Sequence, residues 1–237
     1  SGTGGGMKRF TIGEIDITGA SRSIKDSEAA TAAESGIEYT RFEIAMDGIT
    51  VVINPENNWA NNLTVEELKK IWEPNSTVKT WSDVRPEWPN EEIELFAPGS
   101  DSGTFDYFTK VIVGEASHSR SDYTASEDDN VLVQGVAGNK YALGYFGYAY
   151  YAENMDILKA AAVNGVLPAS ETVGSGKYKP LSRPIFIYIN NEAVKRPEVE
   201  GFLRFYFDQA SELVPPTGYV DLTSYQEQID KVDKLIK

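Results

Sequence analysis

Pro98-Gly99-Ser100-Asp101-Ser102-Gly103-Thr104-Phe105-Asp106-Tyr107-Phe108 is the stretch on which both fold and function turn. Before it, Ile93 to Phe96 is a short apolar run that reads as a buried strand; after it, Tyr107 to Val113 carries apolar residues at helical spacing. A strand, a small-residue turn and the start of a helix therefore follow one another. The first turn of a helix leaves backbone N–H groups without intrahelical acceptors, at the positive end of the helix dipole. Ser102 and Thr104 add hydroxyl donors, and Gly103 lets an oxygen-rich ligand come close to the backbone. Together they suit a small oxyanion. The same residues also describe an ordinary N-cap with no ligand.

A second stretch repeats this chemistry. Ser1-Gly2-Thr3-Gly4-Gly5-Gly6 is a hydroxyl-and-glycine turn leading into a short helix expected over Met7 to Ile12. Two such turns can converge on one ligand if the chain folds as two facing α/β lobes.

With 237 residues, 41% of them apolar, the chain can build one large domain or two small lobes with real cores. Four Trp, thirteen Tyr and ten Phe argue against disorder. The net charge of −14 argues against nucleic acid or an anionic membrane surface as partner. An anionic ligand would have to be held by local dipoles, hydrogen bonds and a nearby cation. The absence of cysteine removes disulfides, thiolate catalysis and Cys-ligated metals, and no cofactor is expected. The single histidine, His118, lies in the polar run Ala116 to Ser121 and is expected to be exposed. No apolar run reaches the ~18 residues that a membrane-spanning helix needs.

Strands are expected over Glu14–Ala20, Glu38–Ala45, Ile49–Ile53 and Arg183–Ile189. Helices are expected over Asp26–Ser35, capped at Asp26 or Ser27, and over Leu63–Trp72, with Thr64 as N-cap and Glu67 three residues on. Further helices are expected over Asn130–Val136, broken by Gly135 to Gly138, over Glu192–Phe207, and over Leu222–Lys237. The aromatic run Ala142 to Tyr151 reads as a strand leading into a helix, its rings serving core packing. This alternation predicts an α/β fold with a largely parallel sheet. Two fully apolar strands bracket a long middle section, so lobe I is expected over 1–48 and 184–237 and lobe II over 49–183. Crossover strands near 49–53 and 184–189 would join them, and hinged closure would follow.

Several motifs fail on inspection. Gly2 to Lys8 lacks the Gly-Lys-Ser/Thr order of a nucleotide phosphate loop. Gly99 to Gly103 places its serine wrongly for a nucleophile elbow. Asp128 and Asp129 lack the spacing of a calcium loop. Arg22 has two readings. At the carboxyl end of an expected strand, within Gly19-Ala20-Ser21-Arg22-Ser23, it can present a fork of donors to an oxyanion. It can equally be a surface arginine paired with one of the 36 acidic side chains. Asp101, beside the serine turn, would repel a fully ionised anion but can accept the O–H of a protonated one.

Ser1–Gly6 with Met7-Lys8-Arg9-Phe10, Gly13 to Arg22, Asp47 to Pro55, Leu63 to Leu68, Pro98 to Phe105 and Val131 to Val136 together resemble the phosphate-binding protein of the ABC-type phosphate importer. The resemblance runs in order along essentially the whole chain. It implies an α/β, two-lobe periplasmic-binding-protein-like fold joined by two crossover strands, with inorganic phosphate in the cleft. It further implies that Thr3, Gly4, Arg22, Ser102, Gly103 and Thr104 contact the anion, and Asp101 is the candidate acceptor for its proton. The better-known branch of the family has Asp where this chain has Arg22 and Arg where it has Pro98, so here one arginine comes from the opposite side. Members of the family carry a strand, a helix and a strand ahead of the glycine turn. Without them lobe I is expected to be incomplete, with an exposed sheet edge, unless a further segment or second chain completes it.

The resemblance implies a non-enzymatic receptor in the periplasm or outside the cell, lipid-anchored if an anchor precedes the chain, that hands phosphate to a membrane permease. The rivals are a binder of another oxyanion, such as sulfate or molybdate, and a surface sensory or interaction protein reusing the fold.

Overall fold

The computed structural model describes residues 2–236. Ser1 of the expected glycine turn and Lys237 of the expected terminal helix lie outside the described residues. In chain order the elements are α1 (Gly2–Phe10), β1 (Ile17–Ala20), α2 (Asp26–Glu34), β2 (Tyr39–Ile53), β3 (Asn62–Leu63), α3 (Val65–Trp72), α4 (Trp81–Val84) and β4 (Glu94–Pro98). There follow α5 (Gly103–Phe108), a π-helical turn (Thr109–Val113), β5 (Thr124–Ser126), α6 (Asp129–Gly138), β6 (Ala142–Gly147), α7 (Tyr148–Glu153), β7 (Lys159–Ala160) and β8 (Ala162–Val163). The last are α8 (Ser170–Gly174), β9 (Ser182–Asn190), α9 (Asn191–Val194), α10 (Pro197–Leu213), a 3-10 turn (Pro215–Thr217) and α11 (Gln226–Ile236).

The chain divides into two compact units. The first holds the chain up to Asp47, Gly174–Gly176 and everything from Arg183 on; the second holds Gly48–Val173 and Lys177–Ser182. In the first unit β9 lies between β1 and the first half of β2. β1 and β9 run antiparallel, with Ile17 opposite Ile189 and Ala20 opposite Phe186. One face of this sheet packs Phe42, Ile187 and Ile189 against Leu203 and Phe207 of α10 and Val232 of α11. The other holds Phe186 and Tyr188 against Met7 and Phe10 of α1, so α1 is anchored by the two apolar residues of its last turn.

In the second unit the order is β2, β6, β4, β5. β2 and β6 are antiparallel, whereas β4 runs parallel to both β6 and β5. Trp72, at the end of α3, packs edge-on to Tyr145 of β6 with ring centroids 4.9 Å apart. α3 itself forms as its sequence dictates: the Thr64 hydroxyl accepts from the Glu67 amide at 3.1 Å, and the Glu67 carboxylate accepts from the Thr64 amide at 2.8 Å.

Several expectations are corrected. The sheet is mixed rather than largely parallel, because β1 and β2 take partners from far along the chain (β9 and β6) and alternation along the chain does not fix their direction. The strands expected at Glu38–Ala45 and Ile49–Ile53 are one strand of 15 residues. Asp47-Gly48 does not interrupt it: Gly48 is in line, and a Cβ there would meet the Val173 side chain at 2.9 Å. The first helix starts at Gly2 rather than Met7, so the glycine turn is itself the opening of the helix. α2 is capped one residue earlier than expected, at Lys25, whose amide donates to Glu28 at 2.9 Å. α6 runs through Gly135 without breaking, because a side chain there would meet the Phe96 ring at 2.3 Å and only glycine lets helix and strand close. The helix expected over Glu192–Phe207 is divided before Pro197, which cannot continue α9 but suits the first position of α10.

Candidate functional site

The glycines of α1 differ in what surrounds them. A Cβ at Gly6 would meet the Thr18 hydroxyl at 2.3 Å, so glycine there is needed for α1 to press against β1. At Gly4, in the first turn, a Cβ would meet nothing within 4 Å. Packing explains Gly6 and leaves Gly4 unexplained. Beside Gly4, the Thr3 hydroxyl accepts from the Ser21 amide at 3.1 Å and lies 3.3 Å from the Ser21 hydroxyl. The start of α1 is thereby tied to the loop that leaves β1, and Thr3, Ser21 and Arg22 come together. The same loop is pinned at its far end, where the Ile24 amide donates to the Tyr188 hydroxyl at 2.9 Å.

Arg22 is held by Glu28. Nη2 donates to Glu28 Oε1 at 2.8 Å and Nη1 to Oε2 at 2.9 Å, while Nη1 also donates to the Ser23 carbonyl at 3.0 Å. Both side chains are partly shielded, 29% and 17% exposed. The hydrogen bond from Arg22 holds the Glu28 carboxyl below its ordinary value, with burial opposing. The same bond raises the Arg22 guanidinium, again against burial.

In the second unit β4 ends at Pro98 and the chain turns into α5. The Ser102 amide donates to the Gly99 carbonyl at 3.1 Å, and the Ser102 hydroxyl caps α5 by accepting from the Thr104 amide at 3.2 Å. The ordinary N-cap is therefore real. It is also incomplete as an explanation, because a Cβ at Gly103 would again meet nothing within 4 Å. The Thr104 hydroxyl has no partner among the described residues. Asp101 is exposed and its carboxylate is likewise unpartnered among them. Its amide donates to Glu127 Oε1 at 3.4 Å, and Glu127 leaves so little room that a Cβ at Gly99 would lie 1.9 Å from the same oxygen. Glu127 thus braces the turn from behind.

Glu127 begins a run of three carboxylates. Asp128 caps α6 by accepting from the Asn130 amide at 3.0 Å. Asp129 follows, its carboxyl pushed up to about 6 from 3.8, first by burial and then by Asp128 and Glu127. An acid whose folded value is raised binds more protons folded than unfolded, so stability is lost as pH rises through the window from about 4 to 6. Asp129→Asn is therefore expected to flatten that part of the pH–stability curve and to raise the melting temperature at neutral pH. Thermal unfolding at several pH values checks this; an unchanged slope would mean that Asp129 ionises freely.

Among the described residues no group of three or more His, Cys, Asp or Glu side chains is placed to hold a metal ion. None of their helices is long and apolar enough to cross a membrane. His118 has a half-exposed side chain, 3.6 Å from Glu115.

Comparison with known proteins is decisive at the level of family. Residues 1–210 match the model described as the PBP superfamily domain. The phosphate-binding protein PstS of Staphylococcus saprophyticus is 37% identical over 246 residues, spanning 100% of this chain and 75% of that one. The chain belongs to the PstS-like proteins of the PBP superfamily. Protein SphX of Synechocystis is 49% identical, over 98% of this chain and 71% of the relative. Among solved structures, a possible phosphate binding protein from Planctomyces limnophilus superposes with a TM-score of 0.87 at 49% identity, over 100% of this chain and 86% of that one. An ABC-type phosphate transport receptor from Vibrio cholerae shares the fold, with a TM-score of 0.70 at 23% identity over 93% of this chain and 85% of that one.

This PstS-like chain thus brings Thr3, Gly4 and Arg22 together in one unit, and Asp101, Ser102, Gly103 and Thr104 together in the other. Glu28 and Glu127 escape the sequence reading. Glu28 looks like any acidic residue in the first turn of a helix, and Glu127 lies in a polar stretch with no pattern.

Proposed function

We propose that the chain is a phosphate receptor without catalytic activity. The two half-sites serve one phosphate held between the units, acting outside the cytoplasm and delivering the anion to an ABC-type permease. The observation that carries this reading is that Gly4 and Gly103, each in the opening turn of a helix beside a hydroxyl side chain, have no packing reason to be glycine. A ligand that must reach the backbone supplies that reason. Family membership and the PstS relatives support the choice of phosphate. Asp101, with its free carboxylate, takes the role of acceptor for the phosphate proton, and a fully ionised sulfate would meet repulsion there.

Thermal unfolding with phosphate against sulfate at matched ionic strength tests this. Phosphate at about a hundred times its dissociation constant should add about 2.7 kcal/mol, or roughly 5–11 °C for a chain of this size. Sulfate should leave the transition where it was. Equal shifts with the two anions would overturn the protonated-anion reading, and no shift with phosphate would overturn phosphate binding itself.

A further inference from the structure

The Arg22 guanidinium carries two usable edges, and the structure occupies only one. Its end-on edge, Nη1 with Nη2, is spent on Glu28, and the second Nη1 hydrogen goes to the Ser23 carbonyl. Nε–H and the remaining Nη2–H form the side-on edge, which has no acceptor among the described residues. Two parallel donors on one edge match two oxygens of a tetrahedral or carboxylate anion. A long, flexible arginine would ordinarily give up much rotamer freedom to hold that edge in one direction. Here Glu28 does the holding: it grips the opposite edge with both oxygens while its Oε2 also accepts the Lys25 amide at the start of α2. The carboxylate is thereby anchored to a helix rather than to a mobile side chain.

We infer that Glu28 is a positioning residue for anion binding, fixing Arg22 so that its Nε/Nη2 edge is pre-aimed at the ligand. The inference rests on the phosphate reading above and deepens it. Two effects compete when Glu28 loses its charge. The site becomes more positive, which favours any anion, and the guanidinium loses its direction, which disfavours one that needs two aligned donors. Desolvated, directional bonds to a charged partner outweigh a partly screened charge at this degree of exposure, so the directional loss decides.

The test is a mutant cycle read by titration calorimetry with inorganic phosphate on Glu28→Gln, Arg22→Ala and the double variant. Glutamine retains an acceptor for the Lys25 amide and so preserves the cap of α2. Glu28→Gln is expected to weaken phosphate binding about tenfold, the equivalent of one charge-assisted hydrogen bond. In the Arg22→Ala background the same change should cost nothing further, because Glu28 acts only through Arg22; a merely structural role would cost the same in both backgrounds. Glu28→Asp, which keeps the charge and withdraws the oxygens by one methylene, should also weaken binding and guards against a folding defect peculiar to glutamine. Wild-type affinity in both Glu28 variants, or equal losses in both backgrounds, overturns the inference and leaves phosphate binding standing. Failure of the unsubstituted protein to bind phosphate overturns both.

Discussion

Arg22→Ala is expected to lower phosphate affinity about a hundredfold or more while leaving the ligand-free protein folded. The side-on edge offers two donors, each charge-assisted bond to an anion contributing about 1.5–3 kcal/mol. The cost to the fold is small because the Arg22–Glu28 pair is partly exposed and Glu28 keeps its bond to the Lys25 amide. Arg22→Lys should recover little, since an ammonium supplies charge without two parallel donors. Titration calorimetry beside a melting curve of the ligand-free protein separates the two effects. If Arg22→Ala bound phosphate as the native chain does, the surface-pair reading of Arg22 would be the right one.

Gly103→Ala should give the opposite combination to a usual glycine substitution in a packed place. No atom lies within 4 Å of the added Cβ, and Gly103 is not among the glycines with positive φ. The ligand-free protein is therefore expected to hold its stability or to gain up to about 1 kcal/mol from a less flexible unfolded chain. Phosphate affinity should nevertheless fall about tenfold or more, because the methyl group stands where the anion would meet the first-turn amides. Gly135 and Gly6 provide the contrast: at each a Cβ would collide at 2.3 Å, so those glycines belong to packing. A Gly103→Ala protein that binds phosphate normally would show that the ligand does not approach this backbone.

What could be read in the sequence divides along local and remote interactions. The capping box of α3 is written in Thr64 and Glu67, three residues apart, and forms as expected. The apolar runs within Ile49–Ile53 and Pro184–Ile189 lie in strands for the same reason, their apolar character being encoded residue by residue. Sheet direction is not local. β1 pairs with β9 across most of the chain, and nothing in Ile17–Ala20 names that partner. Gly135 misled as a breaker because its reason is the ring of Phe96, far off in sequence and close in space. Hydroxyls and glycines mark both helix starts, so as a candidate site Thr3, Ser102, Gly103 and Thr104 are legible. The carboxylates that support them are not. Glu28 reaches Arg22 around the start of α2, and Glu127 reaches the turn at Gly99 from the end of another loop.

An arginine whose charge is met within its own unit has no counterion to shed. A bare guanidinium in a protein of net charge −14 would gather chloride or a passing carboxylate, and each arriving ligand would first have to displace it. With Glu28 already seated there, the ground around Arg22 is close to neutral before anything binds. On the proposed reading of Arg22, recognition then depends on the number and direction of the hydrogens it offers more than on its charge.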